Sequence, residues 1–276
     1  MNAANPTALK VGLIGAGRMG LPILGHLARK GFAATACDLN PAKQAAVTQA
    51  GAAWADGPAA LAQQCDVILV CVGFDAEVRA LLAEDGPLRQ ARAGSIVAIL
   101  STVNPDTVKA LAAEALPRGV HVVDSTVCRG GMAADTGTLL SFVGGPAEVV
   151  ERLTPVLRAY SSDVVHTGGV GTAQVAKAAN NLVLWACLVA NHEALALAKA
   201  HDMDIDALRN ALMMSSAENH ALEVWGKQTM AWADDDMAIV SEMAAQAGLS
   251  LPQAGLNREI CRALKPKRYQ LESYGR

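Results

Sequence analysis

The chain has 276 residues, 52% of them hydrophobic and 18% charged, with a formal net charge of −3. That length fits two domains better than one, and the charge leaves no positive excess to hold a nucleic-acid backbone or an anionic membrane, so neither is expected as a partner. The six cysteines (37, 65, 71, 128, 187 and 261) stand singly, mostly in apolar runs, without C-x-x-C or metal-ligand spacing. The opening "MNAANPTALKVGLIG" lacks a basic segment followed by a long apolar one. Together these predict reduced thiols and a cytoplasmic location. The six histidines show no H-E-x-x-H spacing, so no metal is expected, and the absence of G-x-S-x-G removes the α/β-hydrolase reading.

From Leu9 onward, short apolar runs alternate with helix-period segments: "KVGLIG", "ATACDL", "DVILVCV", "SIVAIL", "VHVVDS", "LLSFVG" and "SDVVHT". Runs of this kind suit strands buried on both faces, and helices between them make βαβ units on a parallel sheet. After "HTGGVG" the character changes to long Ala/Leu-rich segments near 170–200, 204–215, 218–231, 234–247 and 252–265. The expected division is therefore an α/β domain over residues 1–167 and an all-helical domain over 168–276. The most apolar stretch, 182–200, contains Asn191, His192 and Glu193, which are costly in lipid, so it reads as a buried or interface helix.

The first strand runs into "GAGRMG", Gly15-Ala16-Gly17-Arg18-Met19-Gly20, and then into a helical pattern. In that position Gly15 allows the tight turn, Gly17 lets the backbone approach a pyrophosphate, and Gly20 permits close helix packing, with the helix N-terminus facing the anion. The second strand ends in Asp38, whose carboxylate can accept from both ribose hydroxyls and would repel a 2′-phosphate. The cofactor predicted is NAD, on a doubly wound sheet of the Rossmann type.

The chain resembles the β-hydroxyacid dehydrogenase family over nearly its whole length. "GLIGAGRMG" looks like the family's opening motif, and "STVNP" (101–105) like a segment at the end of a sheet strand near the nicotinamide. "DSTVCRGGMAADTGTLLSFVGG" (124–145) aligns without gaps on the family's substrate loop, and "GTAQVAKAANN" (171–181) is similar to the segment carrying its catalytic lysine. The resemblance implies a Rossmann-like domain followed by a helical one. On the cofactor it places the glycine loop, Asp38, Val72, Ser101 and Thr102. It puts Cys128, Arg129 and Gly130 on the substrate's acid group, makes Lys177 the general acid/base, and gives Asn181, with Asn180 beside it, the substrate oxygen to orient. Lys177 and Asn181 are four apart and so share one helix face, where both reach a small molecule in an interdomain cleft.

Three departures bear on the substrate. Cys128 replaces a usual serine, a weak donor for a good one. Arg129 replaces a usual glycine and resembles the arginine of sulfolactaldehyde reductases, a fork of donors suited to carboxylate or sulfonate; its plainer reading is a surface ion pair. In "MAWADDDMAIVSEMAAQAG", Asp235 takes the place of a family lysine while Asp236 keeps an aspartate; Ala173, in place of a common glycine, is expected to matter little. The reading is an NAD-dependent enzyme interconverting a small anionic 3-hydroxy acid and its semialdehyde, as a homodimer or homotetramer. The alternatives are a sulfolactaldehyde-type reductase, an imine reductase, or a dinucleotide-binding scaffold without catalysis.

Overall fold

The computed structural model describes residues 8–83, 86–266 and 269–275. Two compact units divide between Lys177 and Ala178. In chain order the first holds β1 (Lys10–Ile14), α1 (Gly20–Arg29), β2 (Ala33–Cys37), α2 (Gln44–Gln49), β3 (Ala53–Trp54), α3 (Pro58–Gln64), β4 (Val67–Val70), α4 (Asp75–Leu82), α5 (Pro87–Gln90) and β5 (Ile96–Ile99). It continues with α6 (Pro105–Ala115), β6 (His121–Asp124), β7 (Val127–Cys128), α7 (Gly130–Thr136), β8 (Leu139–Gly144), α8 (Ala147–Leu157) and β9 (Ser161–Gly168). The strand order is β3-β2-β1-β4-β5-β6-β8-β7, with β9 against β8.

Strands β1 to β6 are parallel, while β8 runs antiparallel to β6 and β7. The alternation within β4 shows why these strands read as continuous apolar runs. Val67 and Leu69 face one core with Ile23, Leu24 and Leu27 of α1 and Leu153 of α8. Ile68 and Val70 face the other, with Leu61, Val78, Leu82 and Val108 from α3, α4 and α6. Both faces are covered, as a doubly wound sheet requires. The order reverses between β1 and β4, and ligands of such sheets bind beyond the strand ends at that reversal.

Helix α9 (Thr172–Ala200) begins in the first unit and continues in the second, which adds α10 (Ile205–Leu212), α11 (His220–Glu223), α12 (Ala233–Gln246) and α13 (Pro252–Leu264). By length and apolarity α9 could cross a membrane, yet Trp185, Leu188 and Val189 pack on Met237 and Val240 of α12 and on Cys261 and Leu264 of α13. The helix expected over 218–231 is much shorter: α11 ends at Glu223, and Gly226 has φ of 82°. A left-handed residue cannot continue a right-handed helix.

A buried histidine ties α9 to the C-terminal segment. His192 is 1% exposed, with Nδ1 2.8 Å from the Leu188 carbonyl and Nε2 3.2 Å from the Tyr269 backbone nitrogen. The carbonyl can only accept and the amide can only donate, which fixes a neutral ring protonated on Nδ1. Rings of Trp225, Tyr269 and Tyr274 surround it at 4.5, 5.3 and 6.3 Å. Desolvation pushes its pKa below the ordinary 6.5, against the opposing effect of the Leu188 bond. Because the folded value lies below the unfolded one, the stabilisation is present above 6.5 and is lost as pH falls below it. Thermal melts from about pH 8 to about pH 5 should show a midpoint that drops below pH 6.5 more steeply in wild type than in His192→Gln. Equal slopes would remove His192 as the cause.

Candidate active site

The glycine loop is built by contacts that exclude side chains. Gly15 has φ of 100°, and a Cβ there would lie 2.2 Å from the Cys71 carbonyl at the end of β4; one on Gly20 would lie 2.0 Å from the Gly15 carbonyl. Gly17 differs: among the described residues, none apart from its chain neighbours comes within 4 Å of the place a Cβ would take. Backbone is therefore presented to open space at the start of α1, at the sheet reversal, which fits the approach of a pyrophosphate to a helix N-terminus. Asp38 accepts from the Ala16 backbone N–H through Oδ2 at 2.8 Å and from Asn40 through Oδ1 at 2.8 Å. Each oxygen keeps a second lone pair for a ribose hydroxyl. Arg18 forms a bidentate pair with Asp135 of α7, at 2.8 and 2.7 Å, rather than turning over the loop, and Met19 packs partly buried against the core.

Val72 and Ser101 close the neighbouring strand ends on one another. The Val72 N–H donates to Ser101 Oγ at 3.0 Å, and that hydroxyl donates to the Val72 carbonyl at 2.9 Å. The Ser101 hydroxyl is thus engaged in shaping the loop, and Thr102 beside it is half-buried.

The first turn of α9 sits in a socket made by the ends of β5 and β6. Asp124, fully buried at the end of β6, accepts from Gly171 N–H at 2.7 Å and Gln174 N–H at 2.9 Å, supplying from another strand the acceptors a helix N-terminus lacks. Desolvation raises its pKa, and these backbone donors oppose that rise. Thr126 donates to the Ala173 carbonyl at 3.1 Å. Gln174, 1% exposed, donates through Nε2 to the Ser101 carbonyl at 2.9 Å and accepts the Val103 N–H through Oε1 at 3.0 Å. These ties carry the unit boundary to Lys177, ten residues past the position expected from pattern. Asp124, Thr126 and Gln174 carry no motif that marks them for this role in the sequence; the signal present is a glutamine three residues before Lys177 on the same face of an apolar helix.

Lys177 follows directly. Its ammonium donates to the Val127 carbonyl at 2.9 Å and lies 3.9 Å from Cys128 Sγ. The lysine and the cysteine of β7 are therefore brought together, with Cys128 4% exposed. One turn on, Asn181 is 2% exposed; its Oδ1 accepts from Asn180 Nδ2 at 3.0 Å, and its own Nδ2 is buried with no partner among the described residues. An unpaired buried amide is a donor available to a ligand oxygen.

Arg129 is not brought to this cluster. It has φ of 79°, a left-handed conformation natural to glycine, and its Nη1 donates to Asp163 at 2.7 Å, Ser162 Oγ at 2.9 Å and the Thr138 carbonyl at 3.1 Å. The guanidinium holds the Asp163 carboxyl below its usual range. In this arrangement the guanidinium is engaged in an ion pair with the half-exposed Asp163. The physical reason is that β9 places an acid, 34 residues later in sequence, within reach of the fork. Gly130 follows at φ of 73° and opens α7.

In the second unit the three aspartates of α12 have distinct surroundings. Asp234 is held by Arg258 and Arg262, whose hydrogen bonds keep its carboxyl below the usual range. Asp236 accepts from the Trp185 indole at 2.9 Å. Asp235, in the place of the family lysine, is half-buried between them.

Residues 10–169 match the family described as the NAD binding domain of 6-phosphogluconate dehydrogenase, and residues 171–272 that described as the NAD-binding region of NADP-dependent 3-hydroxyisobutyrate dehydrogenase. The chain is 32% identical over 217 residues to an NAD-dependent L-serine dehydrogenase of Pseudomonas aeruginosa, covering 78% of this chain and 73% of that one. It is 28% identical over 262 residues to a 3-sulfolactaldehyde reductase of Escherichia coli, covering 91% and 88%. A solved structure of Mycobacterium tuberculosis 3-hydroxyisobutyrate dehydrogenase with L-serine shares the fold, with a TM-score of 0.85 at 22% identity over 94% of both chains. Glycine loop, lysine-bearing helix and matched segments agree in order and extent, and the chain belongs to the β-hydroxyacid dehydrogenase family, oxidoreductases that act on a CH–OH group with a nicotinamide dinucleotide.

Proposed function

We propose that the chain interconverts a small 3-hydroxy acid and its semialdehyde with NAD, using Lys177 as the proton-transfer group. The observation that carries this reading is the position of the Lys177 ammonium, 2.9 Å from the Val127 carbonyl and beside Cys128, on the segment that resembles the family's substrate loop. Gly15, Ala16, Gly17, Gly20 and Asp38 would hold the dinucleotide, which would supply the hydride acceptor when bound. Lys177 takes the hydroxyl proton as the carbinol carbon is oxidised, and returns it to the oxygen in the reverse direction. The unpaired Asn181 Nδ2 donates to that oxygen and orients it, with Asn180 fixing the Asn181 carboxamide. Cys128 and Gly130 line the place for the acid group. Asp38 supports NAD over NADP, because a second negative charge at the ribose would meet its carboxylate. The exposed positions of Val183 and Leu197, 63% and 64% accessible along α9, support a homo-oligomer in which a second copy covers that face.

A sulfonate-bearing substrate is the second reading, favoured by Arg129 and by the likeness to the 3-sulfolactaldehyde reductase. An exposed ion pair contributes little, so Asp163 yields the guanidinium readily to a stronger anion. The two readings separate in initial rates with 3-hydroxyisobutyrate, tartronate semialdehyde and sulfolactaldehyde, using NAD(H) and NADP(H), in wild type and Arg129→Gly. The first reading expects a carboxylate substrate to turn over with NAD and to change by less than about threefold in the variant, whose backbone prefers glycine. Loss of about tenfold or more confined to sulfolactaldehyde would establish the second. Preference for NADP would overturn the role given to Asp38.

A further inference from the structure

We propose that Gln174 is a positioning residue for proton transfer, a carboxamide clamp that sets the register of Lys177 against the Ser101–Val103 segment. The inference rests on the reading of Lys177 as the acid/base. Gln174 is 1% exposed, and its side chain is satisfied at both ends by backbone of one loop: the Ser101 carbonyl at 2.9 Å and the Val103 N–H at 3.0 Å. Its own N–H is held by Asp124 at 2.9 Å. A single residue therefore joins the end of β6, the loop after β5 and the first turn of α9.

Lys177 lies three residues further along the same helix face, about 4.5 Å along the axis at 1.5 Å per residue. A helix transmits a displacement of its first turn to the next almost rigidly. A slip of one residue would move Lys177 by about 1.5 Å and turn it about 100° around the axis, whereas hydride and proton transfer lose about a hundredfold for a misplacement of about 1 Å. The bridged loop is the one the resemblance places near the nicotinamide, so the clamp fixes the amine relative to the segment that must hold the reacting carbon. Glutamine suits both bonds at once. Asparagine is one methylene short, methionine fills the space without either bond, and an ionised glutamate accepts from Val103 but sets a second oxygen against the Ser101 carbonyl.

Protonation of the side chain introduced by Gln174→Glu provides the test. In its neutral form that carboxyl would donate through its hydroxyl to Ser101 and accept from Val103, restoring the clamp; the carboxylates on its partners are Asp124, which holds the backbone N–H of residue 174, and Asp75, which accepts from the Asn104 N–H beside Val103. The experiment measures kcat, KM, NADH affinity and thermal midpoint for wild type, Gln174→Met, Gln174→Glu and Lys177→Ala over a range of pH, at temperatures where each variant is folded. Gln174→Met should lose about ten- to a hundredfold in kcat, with KM and NADH affinity within about threefold of wild type. For Gln174→Glu, kcat relative to wild type should rise as pH falls, a signature that remains available if the methionine variant does not fold. A ratio flat with pH, or kcat within twofold of wild type despite a lowered midpoint, would show Gln174 to be a satisfied core group only. Wild-type turnover in Lys177→Ala would instead remove the acid/base reading on which the inference rests.

Discussion

Lys177→Ala is expected to lose about 10²–10⁴-fold in kcat, the range typical of removing a positioned acid or base, while NADH binding stays within about twofold. The two effects separate because the residues that shape the glycine loop are placed by other groups than Lys177: Gly15 lies against Cys71, Gly20 against Gly15, and Asp38 accepts from Ala16 and Asn40. The substitution spares the fold. Alanine is the best helix former, and the ties that seat α9, from Asp124, Thr126 and Gln174, all precede position 177. Lys177→Arg should fail nearly as badly, since a guanidinium keeps its proton and presents a wider, planar head to the Val127 carbonyl. Stopped-flow hydride transfer, NADH fluorescence titration and melting curves on the same preparations give the three readouts. Turnover of the alanine variant at the wild-type rate would sink the assignment.

How far the sequence discloses this arrangement depends on whether a residue acts locally or across the fold. Strands β1, β2, β4, β5 and β6 are legible because a strand covered on both faces reads as a short, nearly continuous apolar run, broken here only by Lys10, Thr35, His121 and Asp124. The glycine loop is legible because its backbone path forbids side chains at Gly15 and Gly20. The antiparallel course of β8 and the two-residue strands β3 and β7 leave no such trace, since pairing direction is set by partners far away in sequence. The same holds for Arg129, whose direction is decided by Asp163, and for Asp124, which caps a helix beginning 48 residues later. Periodicity located the change from sheet to helices near residue 167. It could not show that the first turn of α9 belongs to the sheet unit, because that membership is made by side-chain bonds to backbone.

Substitutions in the glycine loop should divide folding from cofactor binding. Gly15→Ala sets a methyl 2.2 Å from the Cys71 carbonyl at a residue with φ of 100°. The conformation alone costs about 1–3 kcal/mol for a side-chain-bearing residue, and the carbonyl is backbone that cannot turn aside. The expected result is a lowered melting midpoint together with lost dinucleotide binding. Gly17→Ala is the opposite case. Apart from its chain neighbours, no described residue lies within 4 Å of its Cβ, and its φ falls outside the left-handed range, so stability should stay within about 0.5 kcal/mol of wild type. Its methyl would occupy the open side on which the resemblance sets the pyrophosphate, and NADH affinity should fall by about tenfold or more, equivalent to about 1.4 kcal/mol. Stability and affinity thus fall together at Gly15 and separate at Gly17. Fluorescence titration and melts on the two variants measure that difference directly. If Gly17→Ala binds NADH as tightly as wild type, the dinucleotide does not lie along this loop, and the cofactor site must be sought elsewhere on the sheet.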